Sequence, residues 1–344
     1  MLIYILVYIF SLFFTYLASQ RNNWLYHFVA IVAPILLLTF RDVSVGTDTV
    51  HYEDIFNYSS SAASLSIFIL SFRLEIGFAS ITYLISNMGL DVSFAFFIYA
   101  SLTVIPIYVG ALCLKKKTSP VIIMALYYLM FYQYSFNIVR QSIAMSFVFL
   151  SAVLLVNNKT KLSIIVWIFA LLNHNTAIIF IVFFMIFKMR EENILKKMII
   201  ICVVFLVLIG ILTLNFSDQI NYYNDAYLSK GQGSSQMSYL IEMLLNFCIV
   251  IYARIKQMED SDFYLHVSLM TLCLIVASPL APFVFRIANL CDIIMLIYIP
   301  LTITSVLKPI HKFYYFSFAI FYWWFVFILN NSGGSFPYIF DSFY

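Results

Sequence analysis

The chain has 344 residues, 63% hydrophobic and only 10% charged, with a mean hydropathy of +0.97. Soluble domains carry about 25% charged residues, so a water-soluble globule is excluded and a polytopic membrane protein is expected. The net charge of +3 includes no basic tail or patch, and nucleic acid is not an expected partner.

The chain opens with MLIYILVYIFSLFFTYLASQR. No basic stretch precedes the apolar run, so it reads as a span rather than a cleaved signal peptide. A spanning helix needs about 20 largely apolar residues. By that length, spans are expected near 2–19, 25–40, 92–114, 120–136, 138–156, 162–174, 175–187, 198–216, 238–256, 263–281, 287–307 and 313–330. The fold class is therefore an all-α polytopic membrane protein with roughly 12 transmembrane helices, in a single integral-membrane domain over 1–344. The stretch Ser61–Gly89, broken by FRLE, is too short for two spans and is expected to form a re-entrant or interfacial hairpin. Outer loops are expected near 41–75 and 217–237, with an outer tail over 331–344. The five cysteines lie in apolar runs and suggest neither a disulfide framework nor a zinc site.

Basic residues favour short cytoplasmic loops. Arg21, Lys115–Lys117, Lys159, Lys161, Lys188, Arg190, Lys196, Lys197, Arg254, Lys256, Lys308 and Lys312 form that set, which places both termini outside. Fourteen of the nineteen basic residues are then inside, and four of the five outside are arginines: Arg41, Arg73, Arg140 and Arg286. Guanidinium is planar, always charged and matches phosphate oxygens with two donors. Outward arginines at membrane depth point to a phosphate group presented from the outer leaflet.

In chain order, RDVSVGTDTVHYEDIF follows the second span. Thr47 or Asp48 can cap a helix there, and Asp48 is also a carboxylate able to take a proton or bind sugar hydroxyls. Glu75 falls where the hairpin turns, with Arg73 as a plausible ion-pair partner. Asn137, Arg140, Gln141 and Ala144 are spaced to share one helical face, and a helix starting there adds N–H groups that favour an anion. Tyr127, Tyr128, Tyr132 and Tyr134 read more safely as an interfacial belt than as sugar platforms. His174, in LLNHNTA, shares the outer face with the arginines, which keeps a neutral, proton-accepting imidazole in play. Asp292, below Arg286 and Asn289, is either an arginine partner or a helix–helix hydrogen-bonding group. The segments NFSDQINYYNDAYLSKGQGSSQMSY and NNSGGSFPYIFDSFY suit carbohydrate contact and ordinary solvated loops equally. No nucleotide-phosphate loop, dinucleotide fingerprint or metal-ligating motif is present, so no cofactor and no metal are expected.

The ordered set GTDTVHY, RLEIGF, FNIVRQSIA, LLNHNTA and FRIAN resembles the EpsG-like branch of the O-antigen and polysaccharide polymerase (Wzy) family. The resemblance implies a bacterial inner-membrane glycosyltransferase with a GT-C-like membrane fold. Such an enzyme moves a growing glycan from undecaprenyl diphosphate onto a lipid-linked repeat unit at the periplasmic face. It implies an undecaprenyl-diphosphate-linked oligosaccharide and membrane lipid as partners, with a chain-length regulator protein as a further candidate. Arg140, Arg286 and Arg41 would hold the diphosphate. His174, Asp48 and Glu75, in that order, are the candidate bases, supported by Asn137, Gln141, Thr47 and Tyr52. The rival classes are a polysaccharide flippase or transporter, and an O-antigen ligase or acyltransferase.

Overall fold

A computed structural model describes residues 1–21, 23–189, 233–278 and 283–341. The expected span at 198–216 and most of the expected loop at 217–237 lie outside the described residues. What is described is all-α, and the chain is a polytopic membrane protein. In order the helices are α1 (Leu2–Gln20), α2 (Trp24–Thr39), α3 (Thr49–Ser61), α4 (Leu65–Phe72), α5 (Ile76–Asn87), α6 (Val92–Cys113), α7 (Pro120–Met130), α8 (Val139–Val156), α9 (Thr160–Asn173), α10 (Phe180–Lys188), α11 (Gly233–Ile255), α12 (Ser261–Ala277), α13 (Phe283–Asp292), α14 (Met295–Ser305) and α15 (Pro309–Trp323). Every expected span that lies among the described residues coincides with one of these helices or with a broken pair.

Among the described residues, six helical stretches are long and apolar enough to cross a membrane: Leu2–Gln20, Val92–Cys113, Val139–Val156, Met237–Ile255, Val284–Ser305 and Pro309–Leu329. Shorter apolar helices pack among them. The 16 residues of α2, at about 1.5 Å each, fall short of a hydrocarbon core of about 30 Å. Proline inside α2 has a visible consequence. Pro34 has no N–H to give to the Ala30 carbonyl, and the Ser11 hydroxyl donates there instead at 2.5 Å. Ser11 also meets the Tyr128 hydroxyl at 2.6 Å, which ties α1, α2 and α7 together.

Tyr127 and Tyr128 of α7 and Tyr132 of the 3-10 turn after it do not form an interfacial belt. Tyr127, Tyr128 and Tyr132 are all buried, at 2% exposure or less. Tyr128 stacks on Tyr8 with centroids 4.9 Å apart, and the Tyr132 hydroxyl donates to the Pro34 carbonyl at 2.6 Å. The aromatic bodies pack in the core, and the Tyr128 and Tyr132 hydroxyls each find a partner there.

Between α3 and α6 the chain makes the short hairpin expected from the sequence. Its arms α4 and α5 have 8 and 12 residues. Arg73 adopts the left-handed conformation with φ 50, and the Leu74 N–H reaches back to the Ile69 carbonyl at 3.1 Å. That is a helix stop of the Schellman type, and it leaves Glu75 at the start of α5.

In the bundle interior, the Asn246 amide donates to Glu242 Oε1 at 2.8 Å, and the Tyr315 hydroxyl donates to Asn246 Oδ1 at 3.0 Å. Buried Asp292 lies against Glu242 and Asn246. Of the two roles open to Asp292, this is the helix–helix one.

Candidate functional site

The hairpin turn delivers Glu75 into the protein, where it is 8% exposed. Gly77 permits this. A Cβ there would stand 2.6 Å from the Leu172 carbonyl oxygen, so only glycine lets α5 run backbone-close to the end of α9. That closeness brings Glu75 to His174, which ends α9 in an extended conformation.

Glu75 uses both carboxylate oxygens. Arg140 Nη1 donates to Oε2 at 2.6 Å. His174 Nδ1 lies 2.9 Å from Oε1, and the Asn175 N–H donates to the same oxygen at 3.3 Å. Glu75 therefore pairs with a helix 65 positions away and not with its neighbour Arg73, which is exposed.

Burial pushes the Glu75 carboxyl up, but the charges of Arg140 and His174 and the His174 hydrogen bond outweigh it. The carboxyl is held well below the usual carboxylate range. For His174 burial is the largest influence and lowers its pKa from 6.5; Glu75 opposes, while Arg140 and Arg286 push the same way as burial. The state consistent with both is an ionised Glu75 accepting from the Nδ1–H of a neutral imidazole. Nε2 then keeps its lone pair, and it makes no hydrogen bond with the described residues.

Arg286 comes to this cluster on α13, within electrostatic reach of His174. The Gln141 amide donates to the Arg286 carbonyl at 2.6 Å, which fixes α13 against the start of α8. Tyr52, on α3, is the link to the GTD loop. Its buried hydroxyl faces the Arg140 N–H at 3.5 Å, and its phenol is pushed up by burial and by Asp48, with Arg140 opposing.

Asn137 does not share a helical face with Arg140 and Gln141. The 3-10 turn ends at Phe136, Ile138 leaves helical geometry, and α8 begins only at Val139. Freed from the helix, the Asn137 side chain turns to the GTD loop. Its Oδ1 accepts from the Asp48 N–H at 3.0 Å and from the Thr47 hydroxyl. Asp48 stands at the N-cap of α3 as expected, but its carboxylate makes no capping hydrogen bond. Three residues apart, Asn137 and Arg140 thus hold two different parts of the site.

Arg41 is not part of this cluster. It is 4% exposed, with its guanidinium 4.6 Å from the Phe96 ring centroid and 5.6 Å from that of Phe136. Nη1 donates to the Leu38 carbonyl at 3.1 Å. Burial lowers its pKa to about 10, so it stays cationic at neutral pH, enclosed by aromatic faces. Two features escaped the sequence reading. Glu242 gives no motif signal, and the strap over residues 331–341 looks like any Gly/Ser-rich tail until its backbone partners are known.

No curated protein and no solved structure matches the chain. The family model described as the EpsG family matches residues 24–340, which takes in every residue of the Glu75 cluster and the GTD loop. The chain belongs to the EpsG family.

Proposed function

We propose that this protein is a polysaccharide polymerase of O-antigen (Wzy) type, working in a bacterial inner membrane with its site facing the periplasm and a GT-C-like arrangement of helices. Its donor is a growing glycan on undecaprenyl diphosphate, and its acceptor is the sugar hydroxyl of a lipid-linked repeat unit. Membership of the EpsG family supports the polymerase class. The observation that carries the mechanism is Glu75 held between Arg140 and His174.

A sugar hydroxyl is a poor nucleophile until a positioned base takes its proton. Glu75 serves badly as that base, because its two oxygens are engaged and its pKa is held low. It serves well as an orienting group that fixes the histidine tautomer, the role a carboxylate plays behind a catalytic imidazole. His174 Nε2 then takes the acceptor proton. The acceptor oxygen bonds to the anomeric carbon as the bond to the diphosphate oxygen breaks, and undecaprenyl diphosphate leaves with the electron pair. This is a single displacement with inversion and no covalent enzyme intermediate.

Arg140 and Arg286 neutralise the departing diphosphate, which is transition-state stabilisation by preorganised cations without a metal. Asp48 orients the acceptor from the GTD loop, supported by Thr47, Tyr52, Asn137 and Gln141. A chain-length regulator is the proposed protein partner, on the family resemblance.

The test of the class is the glycan profile of a deletion strain. Single repeat units in place of a ladder support a polymerase. Repeats trapped on the cytoplasmic face would mean a flippase, and full chains left on the carrier would mean a ligase.

A further inference from the structure

We propose that residues 331–341 form a strap that positions Asp48, which makes the C-terminal segment part of the acceptor site. The proposal rests on the reading of Asp48 as the residue that orients the acceptor.

The strap holds the backbone of the GTD loop directly. The Gly46 N–H donates to the Gly334 carbonyl at 2.8 Å, and the Thr47 N–H donates to the Gly333 carbonyl at 3.1 Å. The next amide, that of Asp48, goes to Asn137 Oδ1 at 3.0 Å. Three successive N–H groups are therefore claimed from outside the loop, two by the strap and one by the turn that leads into α8.

Two consecutive left-handed glycines make this possible, with φ +85 at Gly333 and +66 at Gly334. Residues with side chains visit that region only at a cost. The strap is itself pinned. The Asp42 N–H donates to the Ile339 carbonyl at 3.0 Å and the Asp341 N–H to the Phe40 carbonyl at 3.1 Å, so Arg41 and Phe340 form an antiparallel bridge. The Tyr338 hydroxyl donates to the Leu37 carbonyl at 2.9 Å, and the Tyr4 hydroxyl donates to the Ser335 carbonyl.

Asp48 is what this grip presents. An aspartate at an N-cap ordinarily accepts from the N–H of its own helix's first turn. Asp48 makes no such bond; among the described residues its carboxylate has one contact, at 3.3 Å from the Thr47 hydroxyl, whose single proton is shared with Asn137 Oδ1. Its oxygens keep acceptor capacity for a sugar hydroxyl, while its backbone has no freedom to wander. Fixing a substrate-positioning group in this way matters because a displacement of about 1 Å costs up to about 100-fold in rate.

Glycine substitutions in the full-length protein separate strain from contact. At Gly334 a Cβ would sit 3.1 Å from Thr47 Cγ2 and 3.4 Å from the Thr47 nitrogen, whereas at Gly333 it would meet the Asn137 side chain no closer than 3.6 Å, an ordinary contact. Gly333→Ala therefore carries left-handed strain alone, and Gly334→Ala carries strain plus a push on Thr47. Gly334→Ala with Thr47→Ser removes the methyl that is pushed. The readouts are kcat and acceptor KM with a lipid-linked repeat, hydrogen exchange of amides 46–48, and melting temperature.

Gly334→Ala should raise acceptor KM about tenfold above Gly333→Ala and speed the exchange of those amides, with kcat less affected. The added Thr47→Ser should return both readouts to the Gly333→Ala level. Three results overturn the proposal: identical behaviour of the two alanine variants, faster exchange with unchanged acceptor KM, or kcat and KM worsening only in step with the melting temperature. A wild-type protein that makes no polymer sinks the functional reading and the acceptor role of Asp48 with it, while the exchange arm still judges whether the strap grips the loop.

Discussion

Arg140 and Glu75 meet at 2.6 Å, and the other oxygen of the same carboxylate receives His174 at 2.9 Å. One buried carboxylate thus joins a helix start, a hairpin tip and a helix end. Each partner depends on it differently, and the consequences of changing it are separable.

Glu75→Gln keeps the shape but removes the charge facing Arg140 and weakens the acceptor that sets the His174 tautomer. Turnover should fall by about 10²–10⁴-fold, the range for losing effective general-base catalysis. Glu75→Ala should also lower the melting temperature, since stranding one partner of a buried ion pair costs about 3–5 kcal/mol. Purified Glu75→Gln working at the wild-type rate would contradict the orienting role.

Arg140→Lys tests the guanidinium itself. An ammonium can hold Glu75 but cannot also present a planar fork to a phosphate. Activity should drop by at least about tenfold, the loss of one charge-assisted hydrogen bond of about 1.5–3 kcal/mol, in a protein that remains folded. Wild-type chain lengths in both Arg140→Lys and Arg140→Ala would remove Arg140 from the mechanism.

The pH dependence follows from the depressed His174 pKa. Because the folded pKa lies below 6.5, His174 stays neutral in the fold at pH values where the unfolded chain takes up a proton. Its contribution to stability is present above 6.5 and is lost as pH falls through the window down to the folded pKa. Glu75 adds a second loss at lower pH, as pH falls from the usual carboxylate range toward its depressed folded pKa. The acid limb of kcat/KM should lie below pH 6.5 and move up in Arg286→Gln, which removes one of the charges holding it down. An acid limb unmoved by Arg286→Gln and retained in His174→Ala would assign it to another group.

Arg41 should behave as a structural residue. Arg41→Met removes a desolvated cation from between two rings, a loss of about 2 kcal/mol, and should lower the melting temperature without changing donor KM. A raised donor KM at unchanged melting temperature would restore Arg41 to the diphosphate site.

Helix positions and the hairpin were legible because apolar run length and the FRLE interruption are local signals. The tyrosines show the limit of such signals. Tyr127, Tyr128 and Tyr132 look like a belt by composition, yet burial depends on which helices enclose them, here α1 and α2. Arg73 was the nearer partner for Glu75 in sequence, but the helix stop at Arg73 and the α5–α9 contact allowed by Gly77 give Glu75 to Arg140 and His174. Asn137 matched a helical face only on the assumption that the helix already ran through it. The strap was illegible because its bonds run from backbone to backbone, and a glycine pair does not name its partners.

In the proposed mechanism this protein polymerises lipid-linked repeats with His174 as the base. That mechanism is tested most directly by incubating purified full-length protein in lipid with an undecaprenyl-diphosphate-linked repeat unit. The readouts are the glycan ladder and the release of undecaprenyl diphosphate. Wild-type protein should give both together, and a folded His174→Ala protein should give neither above a residue of about one part in 10²–10⁴. A ladder of wild-type length from His174→Ala, or no ladder from wild-type protein supplied with its own repeat unit, would contradict the account.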